Sequence, residues 1–264
     1  MMAATTKKRV TQSIGILAIG AVLTGGGMFL WQNQFDVSLF SSASSSTVQA
    51  VISIGEKSTD GVPLYTQRVS DYLQTKQSRK IEVTSRAEQG RTISSLRDQA
   101  VLGYNDLTKP ITEHVYFTAI TGQNTLLNGI TNKESITSIA TKVVKEISTF
   151  LDLTSARPGV FPEGYTVLLA TLPDPLGGTG DATLCKGLIP NYGTEYTKSA
   201  VNEINEAIVE LSSIYPQTIK IVDLAKHFEE HGLNTSDTWF TDCTSLNPKG
   251  LEEVAKEFER VAKK

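Results

Sequence analysis

The sequence predicts an α/β domain built on a doubly wound, five-stranded and mostly parallel sheet. Five short runs rich in strand-forming residues are spaced along the chain, near 50–54, 80–84, 114–119, 165–171 and 218–223. Five longer runs with helical spacing of apolar residues alternate with them, near 62–76, 92–102, 133–151, 195–214 and 249–263. Strands that alternate with helices are typical of a parallel sheet covered on both faces. No internal repeat and no second domain is evident in the pattern.

The individual elements follow from local spacing. The first strand, "AVISI", stops at the turn "GEKSTDG" over 55–61, and a helical run then begins with "VPLYTQRVSDYL". The fourth helix carries an apolar stripe, formed by Val201, Ile204, Ile208 and Leu211. The last helix carries another, formed by Leu251, Val254, Phe258 and Val261. Asn247 is predicted to cap that last helix, with Pro248 at its first position.

Composition excludes some classes of protein. The chain has 264 residues, a formal charge of -3 and 39% hydrophobic residues. It is therefore not expected to be disordered, and it lacks the basic character typical of nucleic-acid-binding proteins.

The N-terminal region predicts a membrane anchor. Residues 13–31 carry no charge, and a helix of that length reaches roughly 28 Å, close to the thickness of a bilayer core. Lys7, Lys8 and Arg9 precede the segment and no lysine follows before Lys57, which predicts a cytoplasmic N-terminus. The alternative is a cleaved signal peptide and a secreted protein. The predicted organisation is a cytoplasmic tail over 1–12, an anchor over 13–31, a serine-rich linker over 32–48 and an extracytoplasmic domain over 49–264.

Two cysteines fit that location. Cys185 and Cys243 are both predicted to lie in loops at the same end of the sheet, and an oxidising compartment would favour a disulfide between them. Two buried free thiols are the alternative interpretation.

Function is expected in the loops that follow the strands, because ligands of such sheets bind beyond the carboxyl ends of the strands. These loops are predicted over 55–61, 85–91, 121–128, 172–194 and 224–247. In chain order they contain "VISIGEKSTDG", "SRAEQGRTISSL" with Gly90, "ITGQNTLLNGI" with Gly122 and Asn124, and "TDCTSLNPKGLEEVAKEF" from Asp242 onward.

These four blocks resemble the SGNH (GDSL-type) hydrolase family over about 50–264. That family has a glycine-aspartate-serine turn, a glycine, a G-x-N-D turn and a D-x-x-H pair in the same order. The resemblance implies a flavodoxin-like fold of the esterase or lipase type. It also implies that Gly90 and Asn124 supply oxyanion or ligand contacts and that Asp242 is the carboxylate of a catalytic triad.

The catalytic positions depart from the family pattern. Aligned without gaps, Lys57 stands at the nucleophilic serine, Ser245 at the histidine, Glu56 at the first aspartate and Thr125 at the second. A serine hydroxyl needs a base within hydrogen-bond reach, so the aligned site predicts no catalysis. Ser58, one residue along, is the alternative nucleophile.

Other candidates have structural interpretations. His227 and His231 have the spacing of two metal ligands with Glu230, but Gly232 suggests a helix C-terminus, which histidines favour, so no metal site is predicted. His114 precedes the third strand and is predicted to be structural. The loop over 172–194 either shapes a pocket through Asp174, Asp181 or Tyr192, or is an ordered surface loop. No phosphate-loop or dinucleotide fingerprint is present, so no cofactor is expected.

Two functions remain open from the sequence. The first is a non-catalytic, membrane-anchored binding or scaffold protein at the cell envelope. Its partners are the membrane and an envelope glycan, an acyl group or a protein, with Lys57, a helix N-terminus and Asn124 as contacts for an anionic or acylated group. The second is an active esterase or acyl hydrolase that uses Ser58 as its nucleophile.

Overall fold

Five parallel strands form one sheet in the order β2-β1-β3-β4-β5. The computed structural model describes residues 49–56, 61–77, 81–88, 96–107, 111, 113–155, 161, 163–176, 182–185 and 195–264. The strands are β1 (Gln49–Gly55), β2 (Ile81–Ser85), β3 (Val115–Ile120), β4 (Tyr165–Ala170) and β5 (Ile219–Val222). This confirms the predicted five-stranded sheet, in the flavodoxin-like order that brings the ends of β1 and β3 together at the switch point.

Seven α-helices connect and cover the strands within the described residues. They are α1 (Leu64–Gln77), α2 (Leu96–Asn105), α3 (Gln123–Thr131), α4 (Ile136–Ser155), α5 (Glu195–Ile214), α6 (Leu224–His227) and α7 (Pro248–Ala262). A short 3-10 turn spans Ala182–Leu184. The Asn247 side chain accepts a hydrogen bond from the Gly250 N–H and Pro248 begins α7, as the sequence predicted.

The core has two layers because every residue of β1 is buried and neighbouring side chains of a strand point to opposite faces. On one face, Val51 packs in a cluster with Leu73 of α1 and Phe258 of α7. On the other face, Ile52 lies against Gly103 of α2. All described residues lie within the unit Phe35–Lys264, so both layers of the core belong to this unit.

Two local predictions were wrong. The predicted loop over 121–128 is mostly helix α3, which starts directly after Gly122, a glycine in the left-handed conformation with φ 109°. Gly232 does not end a helix either, because α6 ends at His227 and Phe228 is its C-cap.

Within the part of the chain that the structure describes, no helix combines the length and apolar character needed to cross a bilayer. The predicted tail, anchor and linker over 1–48 lie outside the described residues.

Candidate active site

The site begins at a glycine that no other residue can replace without strain. Gly55 ends β1 with a φ of +90°, and a Cβ atom there would lie 2.2 Å from the carbonyl oxygen of Ile120. A side chain is excluded by both the conformation and the contact. The close approach lets the Glu56 N–H donate to the Ile120 carbonyl oxygen at 2.6 Å, which holds Glu56 across the end of β3.

The Glu56 carboxylate binds the N-terminus of α3. Its Oε1 accepts hydrogen bonds from the N–H groups of Gly122 at 2.9 Å and Asn124 at 3.2 Å, and its Oε2 lies 3.1 Å from the Asn124 nitrogen. The first N–H groups of a helix have no partner within the helix and favour negative charge. A carboxylate of the chain itself therefore occupies the N-terminus of α3.

Burial dominates the ionisation of Glu56. Removal from water raises the pKa of its carboxyl to about 7, although the backbone hydrogen bonds from Gly122, Asn124 and Gln123 act to lower it. The side chain therefore changes charge near neutral pH.

Asp242 lies in a turn that its own carboxylate stabilises. Its Oδ1 accepts from the Thr244 N–H at 2.7 Å and from the Thr244 hydroxyl at 2.9 Å, and Ser245 donates to the carboxylate as well. Partial burial raises the pKa of Asp242, but these hydrogen bonds outweigh it and the pKa falls below its usual value. The position aligned with the catalytic histidine thus carries a hydroxyl that already bonds the aspartate.

A cavity of about 330 Å³ lies between these two turns. Its polar wall is formed by Glu56, Tyr65, Gln123, Asn124, Thr244 and Ser245. The rest of the described wall is mostly apolar and includes Leu126, Leu172, Val201, Phe240 and Leu246. A largely apolar cavity with a few polar groups is typical of a small-molecule site.

A disulfide reaches the cavity wall. Cys185 and Cys243 are bonded, with their Cα atoms 5.6 Å apart, and Cys243 lines the cavity. The bond joins the segment after β4 to the Asp242 turn.

None of the three histidines of the chain is among the residues that line the cavity. His114 lies at the amino ends of the strands, where its ring nitrogens contact the Glu163 carbonyl oxygen at 2.9 Å and the Thr166 hydroxyl at 2.8 Å. This agrees with the structural role predicted for it.

The other two histidines pack on Trp239. The His231 ring stacks on the indole with the ring centroids 3.5 Å apart, and the His227 centroid lies 5.2 Å away. No group of three possible metal ligands occurs in the described part of the chain.

The structure brings some of the predicted site residues together. Asn124 and Ser245 line the same cavity, and Asp242, which lies in the same turn as Ser245, accepts a hydrogen bond from it. Asp174 accepts from the Leu176 N–H at 2.9 Å and so stabilises its own turn. Predicted positions that lie outside the described residues are Lys57, Ser58, Gly90, Asp181 and Tyr192.

Sequence reasoning missed the role of Glu56, which it treated only as a substitution. The available signal was an acidic residue directly after an apolar strand, at a position expected to be buried. Tyr65 and Gln123 were missed as well, since Tyr65 lies on α1 outside the four blocks and Gln123 occupies the variable position between Gly122 and Asn124 of the third block.

No family model matches the sequence, and no curated protein matches it. Solved structures do. A lipase from a goat rumen metagenome superposes with a TM-score of 0.54 and 14% identity, over 82% of this chain and 97% of the other. A G-D-S-L family lipolytic protein from Veillonella parvula superposes with a TM-score of 0.53 and 17% identity, over 81% of this chain and 97% of the other. An extracellular lipase from Streptomyces rimosus superposes with a TM-score of 0.51 and 13% identity, over 82% of this chain and 100% of the other. The described domain has the fold of the SGNH (GDSL-type) lipolytic hydrolases.

Proposed function

We propose that this chain is a membrane-anchored, extracytoplasmic protein that binds a ligand in the cavity and does not hydrolyse it. One observation carries the proposal. The Asp242 carboxylate accepts hydrogen bonds from Thr244 and Ser245, while no histidine is among the described residues that line the cavity.

The chemistry of ester hydrolysis explains why this observation matters. A serine hydroxyl becomes a useful nucleophile only when a base accepts its proton, and the aspartate of a triad serves to orient that base. Glu56 is a poor substitute for the base, because its two carboxylate oxygens already accept hydrogen bonds from Gly122 and Asn124. We therefore do not expect Glu56 to accept the proton of a serine hydroxyl.

The alternative is an active esterase or acyl hydrolase with Ser58 as its nucleophile. The observation that favours it is the apolar cavity itself, which lies beside Asn124 on a fold shared with lipases. Fold alone does not imply activity, so the two functions have to be separated by experiment.

The first experiment tests for catalysis directly. A fragment over Phe35–Lys264 contains the whole unit to which the core belongs. We expect it to give no turnover of p-nitrophenyl acyl esters above the buffer rate and no labelling by a fluorophosphonate. The matched control is Ser58→Ala. Labelling of the parent fragment that disappears in this variant would establish the esterase and end the non-catalytic proposal.

The second experiment restores the missing groups. Lys57→Ser combined with Ser245→His places a hydroxyl and an imidazole at the aligned positions, with Asp242 available to orient the ring. We expect the double variant to exceed the summed activity of the two single variants, because nucleophile and base act as a unit. A single variant as active as the double one would contradict this explanation.

The third experiment tests the membrane topology. Protease added to intact cells or spheroplasts is expected to remove the domain and to leave the N-terminal tail protected, because the charge asymmetry around 13–31 predicts that orientation. Recovery of the full-length chain in the soluble cytoplasmic fraction would refute the anchor.

A further inference from the structure

We infer that the cavity selects an uncharged ligand, a single apolar chain ending in a hydroxyl or carbonyl group, and discriminates against the same chain ending in an anion. This inference rests on the proposed binding function and adds the class of ligand. It depends on three observations: the size of the cavity, the position of one carboxylate and the character of the other polar groups.

The size of the cavity sets the length of the chain. A cavity of about 150 Å³ lined by apolar side chains accommodates one benzene ring. The present cavity, of about 330 Å³, is roughly twice as large, which corresponds to about a dozen carbon atoms. Its apolar lining favours hydrocarbon over sugar, because buried sugar hydroxyls would lack partners there.

The position of Glu56 decides the charge of the ligand. Its carboxylate takes up the Gly122 and Asn124 N–H groups, which are the donors that a bound anion would need. A second anion in the same cavity would face the ionised carboxylate at short range in a poorly solvated site, where like charges repel strongly. The described cavity wall contains no lysine or arginine that would offset this repulsion.

The remaining polar groups suit a neutral end group. Gln123 donates through its side-chain nitrogen to the Thr244 carbonyl oxygen at 3.2 Å, which joins α3 to the Asp242 turn across the cavity. The side-chain amide of Asn124 can both donate and accept hydrogen bonds, while the hydroxyls of Thr244 and Ser245, which donate to Asp242, can still accept them. They match a hydroxyl or carbonyl without requiring a charge.

The test compares two probes that differ in their end group. Radiolabelled decan-1-ol and decanoate are equilibrated by dialysis against the Phe35–Lys264 fragment at pH 8.5, where decanoate and Glu56 are both ionised. We expect decan-1-ol to bind at least about tenfold more tightly than decanoate. In Glu56→Gln the ratio should shrink to less than about threefold, through a gain in decanoate affinity. The matched control Glu210→Gln removes an exposed carboxylate from α5 and should leave the ratio unchanged.

The outcomes separate this inference from the function on which it rests. Decanoate binding that equals or exceeds decan-1-ol binding in the parent fragment would overturn the charge selection and leave the binding function standing. If decanoate bound in this way and its binding were lost in Lys57→Met, the result would show that Lys57 binds the carboxylate of the ligand. Absence of binding for both probes would overturn the binding function itself. The comparison in the parent fragment stands even if Glu56→Gln fails to fold.

Discussion

Glu56 and Asp242 are both carboxylates of the site, and each accepts hydrogen bonds from backbone N–H groups at a turn. Their pKa values nevertheless move in opposite directions. Glu56 is only 8% exposed, and burial raises its pKa to about 7 in spite of its hydrogen bonds. Asp242 is half-buried, and hydrogen bonds from Thr244 and Ser245 outweigh its smaller loss of solvation, so its pKa is lowered.

The difference shows that hydrogen bonds alone do not determine the charge of a carboxylate. Backbone donors favour the ionised form, but water lost on burial favours the neutral form. Asp242 belongs to a turn that is stable with the charge present. Glu56 holds α3 in place at the cost of a buried charge above neutral pH.

The largest expected effect concerns the covalent link beside Asp242. Replacing Cys185 and Cys243 by serine removes a bridge between residues 58 apart in sequence, which is expected to lower the free energy of unfolding by about 4 kcal/mol in the chain-entropy model. Urea denaturation measures this, and reduced parent protein should match the double variant. Two alkylatable thiols in the native, unreduced protein would show that the bridge is absent.

The second largest expected effect is a loss of folding stability as pH rises and Glu56 ionises. Because its pKa in the folded state, about 7, exceeds the ordinary 4.5, the folded protein holds a proton that the unfolded chain releases between these values. Stability is therefore lost from about pH 4.5 to 7, by on the order of 3 kcal/mol. Glu56→Gln should remove this dependence and exceed the parent in stability at pH 8 but not at pH 4.5, as measured by urea denaturation. Parallel pH profiles would contradict the assignment.

The smallest expected effect is at Asp242 and has the opposite sign. Its pKa lies below the ordinary 3.8, so its contribution is present above that pH and is lost as pH falls through the lowered value. Asp242→Asn keeps one acceptor but loses the charge, and we expect a loss of about 1 kcal/mol at pH 7. Thermal melts should converge as pH falls below the lowered pKa. A deficit that stays constant as pH falls from 7 through the acid range would point to a geometric role for Asp242.

The sheet was predictable because its signals are local and repeated. The strands β1 to β5 appear as short apolar runs, and α5 and α7 appear as stripes of apolar residues. Helix α3 was missed because its N-terminus is stabilised by Glu56, 66 residues away in sequence. The spacing of apolar residues within a short stretch of sequence contains no information about such a distant partner.

The site was predictable in outline only. Resemblance identified Asn124 and Ser245, which line one cavity. It did not reveal that the Ser245 hydroxyl bonds Asp242, since this depends on the geometry of one turn. The expected C-cap at Gly232 was wrong because α6 already ends at His227. His231 stacks on Trp239 instead, and no local pattern indicates that contact.

The position of β1 inside the sheet, between β2 and β3, has a mechanical consequence. The strand that follows the proposed tether pairs with β2 from Gln49 to Ser53 on one side and with β3 from Ala50 to Gly55 on the other. A force along the axis of β1 therefore acts in shear on two rows of inter-strand hydrogen bonds at once. An edge strand such as β5, which pairs only with β4, would resist the same force with one row. Tension on the proposed anchor would enter the domain through this doubly paired strand.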